Sequence, residues 1–144
     1  MNKICIFFFL NIHLGYKMNS RFGVTWEARC QKLKSMVGEF PENITTLNCN
    51  QNELTSLVGC PENVNLINCM DNKLTSLEGC SPNLRTLYCA GNPDLDLFHL
   101  PESVTYLLHG SKLDEYRGKS LEVVLETNAI RRRAMMTIKS AKNV

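Results

Sequence analysis

One motif returns every 20 residues in the middle of this chain, and it constrains the fold more than any other feature. Pro-Glu-Asn-Ile at residues 41–44 recurs with small changes at residues 61–64, 81–84 and 101–104. An apolar side chain recurs at the same interval, at Leu47, Ile67, Leu87 and Leu107. Repeats of this length indicate stacked coils, because a single coil cannot bury its own apolar edge. Three full units and a fourth partial one span residues 41–110.

Each unit is expected to combine a short strand with a turn. Leu47 and Cys49 alternate with Asn48 and Asn50, which is the period of two that a half-buried strand requires. An asparagine follows where the chain must turn, and its amide can bond backbone groups that no strand pairing satisfies. The repeated residues therefore form a predicted structural ladder: Cys49, Cys69, Cys89, Asn52, Asn72 and Asn92.

This pattern resembles the leucine-rich repeat family, and in particular the short repeats of bacterial effector and giant-virus proteins. The resemblance covers residues 41–110, about half of the chain. It implies a curved solenoid whose parallel strands line the concave face, and a role in binding another protein. Residues 92–95 carry one extra residue before the apolar position, which predicts a local bulge in the third coil. His109 replaces the repeated cysteine, so we expect the solenoid to end near Gly110.

Helical segments are expected to cap both ends of this α/β solenoid, because a stack of coils exposes apolar edges. Residues 19–40 form the predicted N-terminal helical cap. Thr25 could begin its helix, and apolar side chains follow at steps of four, three and four residues, at Trp26, Cys30, Leu33 and Val37. This spacing is typical of one helix face.

Residues 111–144 form the predicted C-terminal cap, a basic helix that begins after Ser120 and runs to about Ser140. Thr127 interrupts its predicted buried stripe, which consists of Val123, Ile130, Ala134 and Ile138. The alternative is that this helix docks on a partner.

Residues 1–18 form a separate apolar segment in which Lys3 precedes seven apolar residues. A secretory signal begins in this way, but no small-residue cleavage site follows. Three interpretations stay open: a weak signal, a hydrophobic tail, and an extension upstream of a true start at Met18. The cysteines, which are expected to be buried and reduced, indicate an intracellular, cytoplasmic protein, with secretion as the alternative.

Charge is distributed unevenly along the chain. Residues 41–110 hold two basic and eight acidic side chains, a net charge of −6. Residues 1–40 and 111–144 each carry a net charge of +4, which gives the total of +2. An acidic repeat body disfavours nucleic acid along the solenoid. The basic cluster of Arg131, Arg132 and Arg133 is a candidate secondary contact.

The cysteines are expected to be buried, reduced thiols rather than metal ligands. Cys49, Cys69, Cys89 and His109 have the composition of a zinc site. Equivalent positions of stacked coils lie about 4.8 Å apart, so the first and last would be about 14 Å apart. Zinc ligands must all lie within about 2.3 Å of one ion. We therefore predict no metal and no cofactor. Because phosphate-loop and Gly-x-Ser-x-Gly motifs do not occur in the sequence, we also predict no catalytic residues.

Side chains that alternate with the buried leucines and cysteines should line the concave face of the solenoid, where the strands lie. Apolar and aromatic groups gather toward the C-terminal repeats, and such clusters make binding hot spots. The predicted partner-binding residues are Leu66, Met70, Tyr88, Tyr106 and Leu108, together with Asn48 and Asn68. Alternatively, the C-terminal segment folds over this cluster.

These features predict a non-catalytic module that binds a protein or peptide partner. Two alternatives are a structural or virion-associated component, attached through its basic ends, and a host-directed effector. The sequence predicts no membrane-spanning segment, because its apolar runs are shorter than the roughly 20 residues that a spanning helix needs.

Overall fold

The strands of successive repeats pair side by side in one sheet. The computed structural model describes residues 15–19, 23–28, 34–36, 40, 43–110 and 116–142. These residues form six strands, β1 (Gly15–Asn19), β2 (Gly23–Glu27), β3 (Ile44–Asn48), β4 (Leu66–Asn68), β5 (Thr86–Tyr88) and β6 (Tyr106–Leu108), and one helix, α1 (Leu121–Lys142). The strands follow chain order across the sheet, and β2 to β6 are parallel whereas β1 is antiparallel to β2.

The 20-residue interval is also the interval between neighbouring strands. Leu47 pairs with Ile67, Ile67 with Leu87, and Leu87 with Leu107. Like side chains therefore stand in rows, and the predicted stacking of the repeats into a solenoid is confirmed. The row that begins at Leu47 is buried except for Leu107, which is half-buried. Three further rows are completely buried: Ile44, Val64, Leu84 and Val104; Leu54, Leu74 and Leu95; and Leu57, Leu77 and Leu97.

An asparagine in each turn ties its coil to the coil before it. The Asn72 amide donates to the carbonyl oxygens of Cys69 at 3.0 Å, in its own coil, and of Cys49 at 3.1 Å, in the preceding coil. Its Oδ1 accepts the Leu54 N–H at 2.9 Å. Asn92 repeats this pattern one coil later. These buried amides satisfy backbone groups that the short strands leave unpaired.

The cysteine row lies beside this ladder and is completely buried. Cys49, Cys69 and Cys89 are free thiols, as are the half-buried Cys60 and Cys80. Burial raises the pKa of Cys49 and of Cys89 to about 12, and it raises the pKa of Cys69 well above its usual range. These thiols are therefore protonated at neutral pH and act as small core side chains.

One residue in each turn has a left-handed backbone. Gln51 and Asp71 have φ angles of 57° and 54°, and Gly91 occupies the same position with a φ of 76°. In residues other than glycine this backbone conformation costs about 1–2 kcal/mol in strain. At Gly91 space is restricted too, because a Cβ would lie 2.9 Å from the Asp71 backbone nitrogen and closer still to its carboxylate.

The extra residue of the third coil is absorbed by a tight turn. Pro93 and Asp94 form this turn, and the Leu95 N–H closes it by donating to the Asn92 carbonyl at 3.2 Å. Leu95 is nevertheless buried. The local irregularity expected here is thus confined to the turn, and the core row is preserved.

The predicted N-terminal helix is wrong where the structure describes it. Trp26 lies in β2, where it pairs with Leu47, and its ring packs 5.2 Å from the ring of Phe40. Val24, Trp26 and Ala28 are buried and alternate with half-buried residues. Burial around Trp26 thus has the period of two of a strand, not the spacing of a helix face. Pairing with β3 also covers the first coil's edge. Cys30, Leu33 and Val37 lie outside the described residues, as do residues 1–14 of the apolar segment.

The predicted C-terminal helix is present, but its buried face differs. It begins directly after Ser120, whose carbonyl accepts the Val124 N–H at 3.0 Å. Val124 and Asn128 are the buried residues of α1. Ile130 and Ile138, of the predicted stripe, are 59% and 55% exposed, and Val123 and Ala134 are exposed as well. Hydrogen bonds from Asn128 and Arg131 to the solenoid fix this orientation.

Replacing the central asparagine of the ladder should weaken the whole stack. We expect Asn72→Ala to lower the free energy of unfolding by about 3 kcal/mol, because it leaves the buried Leu54 N–H without its acceptor and removes one of the two amide bonds to each of the Cys49 and Cys69 carbonyls. Asn63→Ala, at an exposed position of the same coil, is the matched control and should change it by less than about 0.5 kcal/mol. Urea unfolding followed by circular dichroism measures both, and equal effects would contradict the ladder's role.

Gly91 should tolerate a side chain less well than Gly118. Gly118 also has a positive φ, 66°, but nothing lies within 4 Å of a Cβ placed there. We expect Gly118→Ala to cost about 1 kcal/mol from backbone strain alone. Gly91→Ala should cost at least twice as much, because it adds the clash with Asp71. Thermal unfolding of the two variants compares them directly, and a smaller loss for Gly91→Ala would show that the coils are not packed as described.

Candidate partner-binding face

The side chains that alternate with the buried rows form the strand face. Strand register aligns its first row as Thr46, Leu66, Thr86 and Tyr106, and its second row as Asn48, Asn68, Tyr88 and Leu108. A third row follows the strands at Asn50, Met70, Ala90 and Gly110. Strand pairing therefore aligns the sequence-predicted site residues Asn48, Leu66, Asn68, Tyr88, Tyr106 and Leu108 in rows, and Met70 follows directly after β4.

The C-terminal half of the strand face is apolar and aromatic. Tyr106 is 51% exposed and Leu108 41%, and Leu66, Met70 and Tyr88 are half-buried. The rings of Tyr88 and Tyr106 have centroids 5.5 Å apart at an angle of 53°, so the two aromatic side chains contact each other across neighbouring strands. This contact holds the rings in place before any ligand arrives.

The N-terminal half of the strand face is polar. Asn68 Oδ1 accepts the Met70 N–H at 3.3 Å, which fixes that side chain. Asn48 Oδ1 and Asn50 Oδ1 are buried and accept no hydrogen bond from the described residues. An apolar partner surface gains little by covering such groups. The chemistry of this face therefore changes from amide to aromatic along the stack.

Helix α1 packs against the turns of the last coils and leaves the strand face open. The Arg132 guanidinium donates to Glu102 at 2.8 Å and to the carbonyl oxygens of Phe98 and Leu100 at 3.3 and 3.2 Å. Tyr106 and Leu108 stay exposed in its presence. The described part of the C-terminal segment thus does not fold over the predicted binding cluster.

A polar clasp attaches α1 to the solenoid, and the sequence pattern did not identify it. It consists of Asp96, Tyr116, Asn128 and Arg131. Arg131 donates to the two carboxylate oxygens of Asp96 at 3.0 and 3.1 Å and to the Tyr116 hydroxyl. Asn128 donates to the Leu97 carbonyl at 2.7 Å. The available signal was Asp96 itself, which replaces the serines at positions 56 and 76 of the preceding repeats.

The clasp determines what the basic cluster does. Arg131 also lies over the Phe98 ring, 4.7 Å from its centroid. Arg131 and Arg132 therefore hold the helix to the coil, and Arg133 is the exposed member of the three. These contacts assign a capping role to two of the residues that the sequence suggested as a secondary basic contact.

The charges of the clasp shift the ionisation of its acid and its phenol. Partial burial works to raise the pKa of Asp96, but hydrogen bonds from Arg131, the Phe98 N–H and Tyr116 outweigh it and lower that pKa below its usual value of 3.8. Burial, followed by the neighbouring Asp96 carboxylate, raises the pKa of Tyr116. Asp96 is thus charged and Tyr116 neutral at neutral pH.

Ser76 and His99 form a pair that resembles a nucleophile and a base. Ser76 Oγ lies 3.2 Å from His99 Nδ1, but it also accepts the Glu78 N–H at 3.0 Å. Ser56 accepts the Val58 N–H in the same way one coil earlier, at 3.1 Å. Because the turn bond repeats where no histidine stands at the matching position, we interpret Ser76 as a turn residue.

An open cleft of about 600 Å³ lies between the turns of the last coils and α1. Cys80, Phe98 and His99 contribute to its wall. Two of its charged groups, Arg132 and Glu102, bind each other, and the pKa of the Cys80 thiol is raised to about 12 by burial. The cleft therefore lacks an activated thiol and is a weaker candidate than the strand face.

The clasp should make the stability of the protein depend on pH. A carboxyl whose pKa is lower in the folded than in the unfolded state stabilises the fold above about pH 4, and this contribution is lost as the pH falls through the folded-state value. We expect Asp96→Asn to be less stable than wild type at pH 7 and the difference to shrink toward pH 2. Urea unfolding between these pH values measures it.

The neighbouring Asp94→Asn is the control for this experiment, because Asp94 is exposed. The free energy of unfolding of Asp94→Asn should vary with pH in the same way as that of wild type. A wild-type advantage over Asp96→Asn that stays constant with pH would argue against the clasp.

Comparisons with family models, with curated proteins and with solved structures found no match. Among the described residues, no helix is long and apolar enough to cross a membrane, and no group of three or more potential ligands could hold a metal ion. The function therefore has to be argued from the solenoid and its strand face.

Proposed function

We propose that this protein is a short leucine-rich repeat module that binds a protein or peptide partner on its strand face, without catalysis. The observation that carries the proposal is the exposed aromatic end of that face, where Tyr88, Tyr106 and Leu108 stand together on paired strands. Aromatic side chains on a rigid support lose little conformational freedom on binding, and such groups dominate interface energies.

The leucine-rich repeat assignment is supported by the combination of three features. The repeat is 20 residues long, its strands are parallel and in register, and a buried asparagine closes each turn. A stack of this kind presents one broad surface made of several strands. In this proposal that surface is the concave face of the solenoid.

The charges of the repeats favour a partner with basic groups around an apolar anchor. Residues 41–110 carry a net charge of −6, of which Arg131 and Arg132 offset two charges by binding Asp96 and Glu102 and leave −4. The Tyr106 end of the face, in contrast, is apolar. An aromatic or aliphatic side chain of the partner would pack on the tyrosines, and nearby lysines or arginines would be attracted by the acidic body. The same charge repels the phosphates of a nucleic acid.

A non-catalytic role is consistent with the state of the described thiols. Burial raises the pKa of Cys60 to about 11 and that of Cys80 to about 12, and nucleophilic cysteines need a lowered value. Attachment through the basic ends has less support, because Arg131 and Arg132 already bind Asp96 and Glu102 of the solenoid.

Site-specific photo-crosslinking tests the proposed face. A benzophenone amino acid placed at Tyr106 should give a covalent product with a defined partner in extract of the source cell. The matched control is the same group at Val58, which is exposed in a turn outside the strand face. We expect the product at position 106 and its absence at position 58, with mass spectrometry to identify the partner.

A second variant checks that the tyrosines supply the affinity. Tyr88→Ser with Tyr106→Ser should weaken binding of the identified partner at least tenfold, since two anchors are removed, and should leave the unfolding transition cooperative. Equal crosslinking from positions 58 and 106, or unchanged affinity of the double variant, would contradict the proposal.

A further inference from the structure

Helix α1 carries a second apolar face that points away from the solenoid. We call it the outer stripe, and its members are Val123, Thr127, Ile130, Ala134 and Ile138. Steps of four, three, four and four residues place them on one side of a helix. Ile130 and Ile138 are both more than half exposed, whereas the docked side holds Val124 and Asn128. A helix that touches its own domain on one side thus offers an apolar row on another.

Polar groups within and beside the outer stripe are satisfied inside the helix. The Thr127 hydroxyl donates to the Val123 carbonyl at 2.7 Å. The Thr137 hydroxyl, beside the stripe, donates to the Arg133 carbonyl at 3.1 Å. Each hydroxyl already has an acceptor, so covering the stripe would not leave these donors without a bond. Burial of the stripe would therefore leave neither of these two hydroxyls without a hydrogen bond.

We propose that the outer stripe is a dimerisation surface that binds the same stripe of a second copy, with the two helices antiparallel and crossing at Ile130. The proposal does not depend on the function proposed for the strand face. It concerns another element and another surface of the molecule.

Charge complementarity selects the second copy as the occupant and fixes its direction. Glu126 and Arg133 are exposed and lie along the same flank of the stripe, seven residues apart. In an antiparallel pair centred on Ile130, Glu126 of each copy lies beside Arg133 of the other, so the attraction occurs twice. In a parallel pair this flank does not face the same flank of the other copy, so Glu126 and Arg133 make no such exchange.

The shape of α1 fits a symmetric pair of helices. The helix has 22 residues, which corresponds to a length of about 33 Å. Ala134 and Thr127 are small and flank Ile130, so the two backbones can approach closely. The result is a two-fold interface in which the same patch is used by both subunits.

The dimer is expected to be reversible. One helix pair buries less surface than the roughly 1,200 Å² at the lower limit of standard stable interfaces. Pairing nevertheless joins two strand faces into one particle, and a partner with two binding segments would be held more tightly through the raised effective concentration.

Sedimentation velocity of the full chain, from low micromolar to millimolar concentration, tests the proposal. We expect wild type to change from monomer to dimer within this range, and Ile130→Glu to raise the dissociation constant at least tenfold. Met136→Glu is the matched control, because Met136 is exposed on a different side of the same helix. It should leave the dissociation constant within about twofold. Circular dichroism checks that both variants keep their helix.

A charge exchange tests the antiparallel geometry. Glu126→Lys and Arg133→Glu should each weaken the dimer, because each single change brings like charges together, and the double variant should restore it. A chain that stays monomeric at every concentration would overturn the proposal and point to another occupant of the stripe. An Ile130→Glu variant that dimerises like wild type, or a double variant that fails to recover, would also overturn it.

Discussion

The hydrogen bonds of the buried asparagines are the interaction on which the rest of this structure depends. The strands of the central coils are only three residues long, so strand pairing alone leaves much of each turn's backbone without partners. Each asparagine supplies bonds within its own coil and to the coil before it. The apolar rows can be buried only because these polar groups are satisfied at the same time.

A hydrogen bond and an ion pair also determine the orientation of α1 on the solenoid. An apolar stripe predicts one buried face of α1, but the helix turns Val124 and Asn128 inward instead. Two contacts stabilise that orientation: the ion pair between Arg131 and Asp96, and the hydrogen bond from the Asn128 amide to the Leu97 carbonyl. The stripe is then left at the surface, and this is the origin of the dimer contact proposed for it.

The sequence predicted the repeated part of the fold well and the unique parts poorly. The rows of the sheet could be predicted from the 20-residue interval, because each repeat places the same type of residue in the same environment. Trp26 and the clasp occur once each. The short stretch around Trp26 fits a strand as well as a helix, and only its pairing with β3 decides between them. The Asp96–Arg131 contact joins residues 35 apart, and no periodicity reveals such a pair. The placement of Tyr88 beside Tyr106 was predictable, whereas the exposure of Tyr106 depends on where α1 docks.

The clasp is unique to one coil, whereas the ladder bonds of Asn72 recur one coil later at Asn92. A tandem duplication of an internal unit such as residues 61–80 would extend the sheet by one strand and carry the final coil and its helix along unchanged. Duplication of residues 81–100, the unit that carries the clasp acid, would instead create a second Asp96-type acid with only one Arg131 to bind it. The architecture therefore permits the array to lengthen from within, while its carboxyl-terminal end stays fixed.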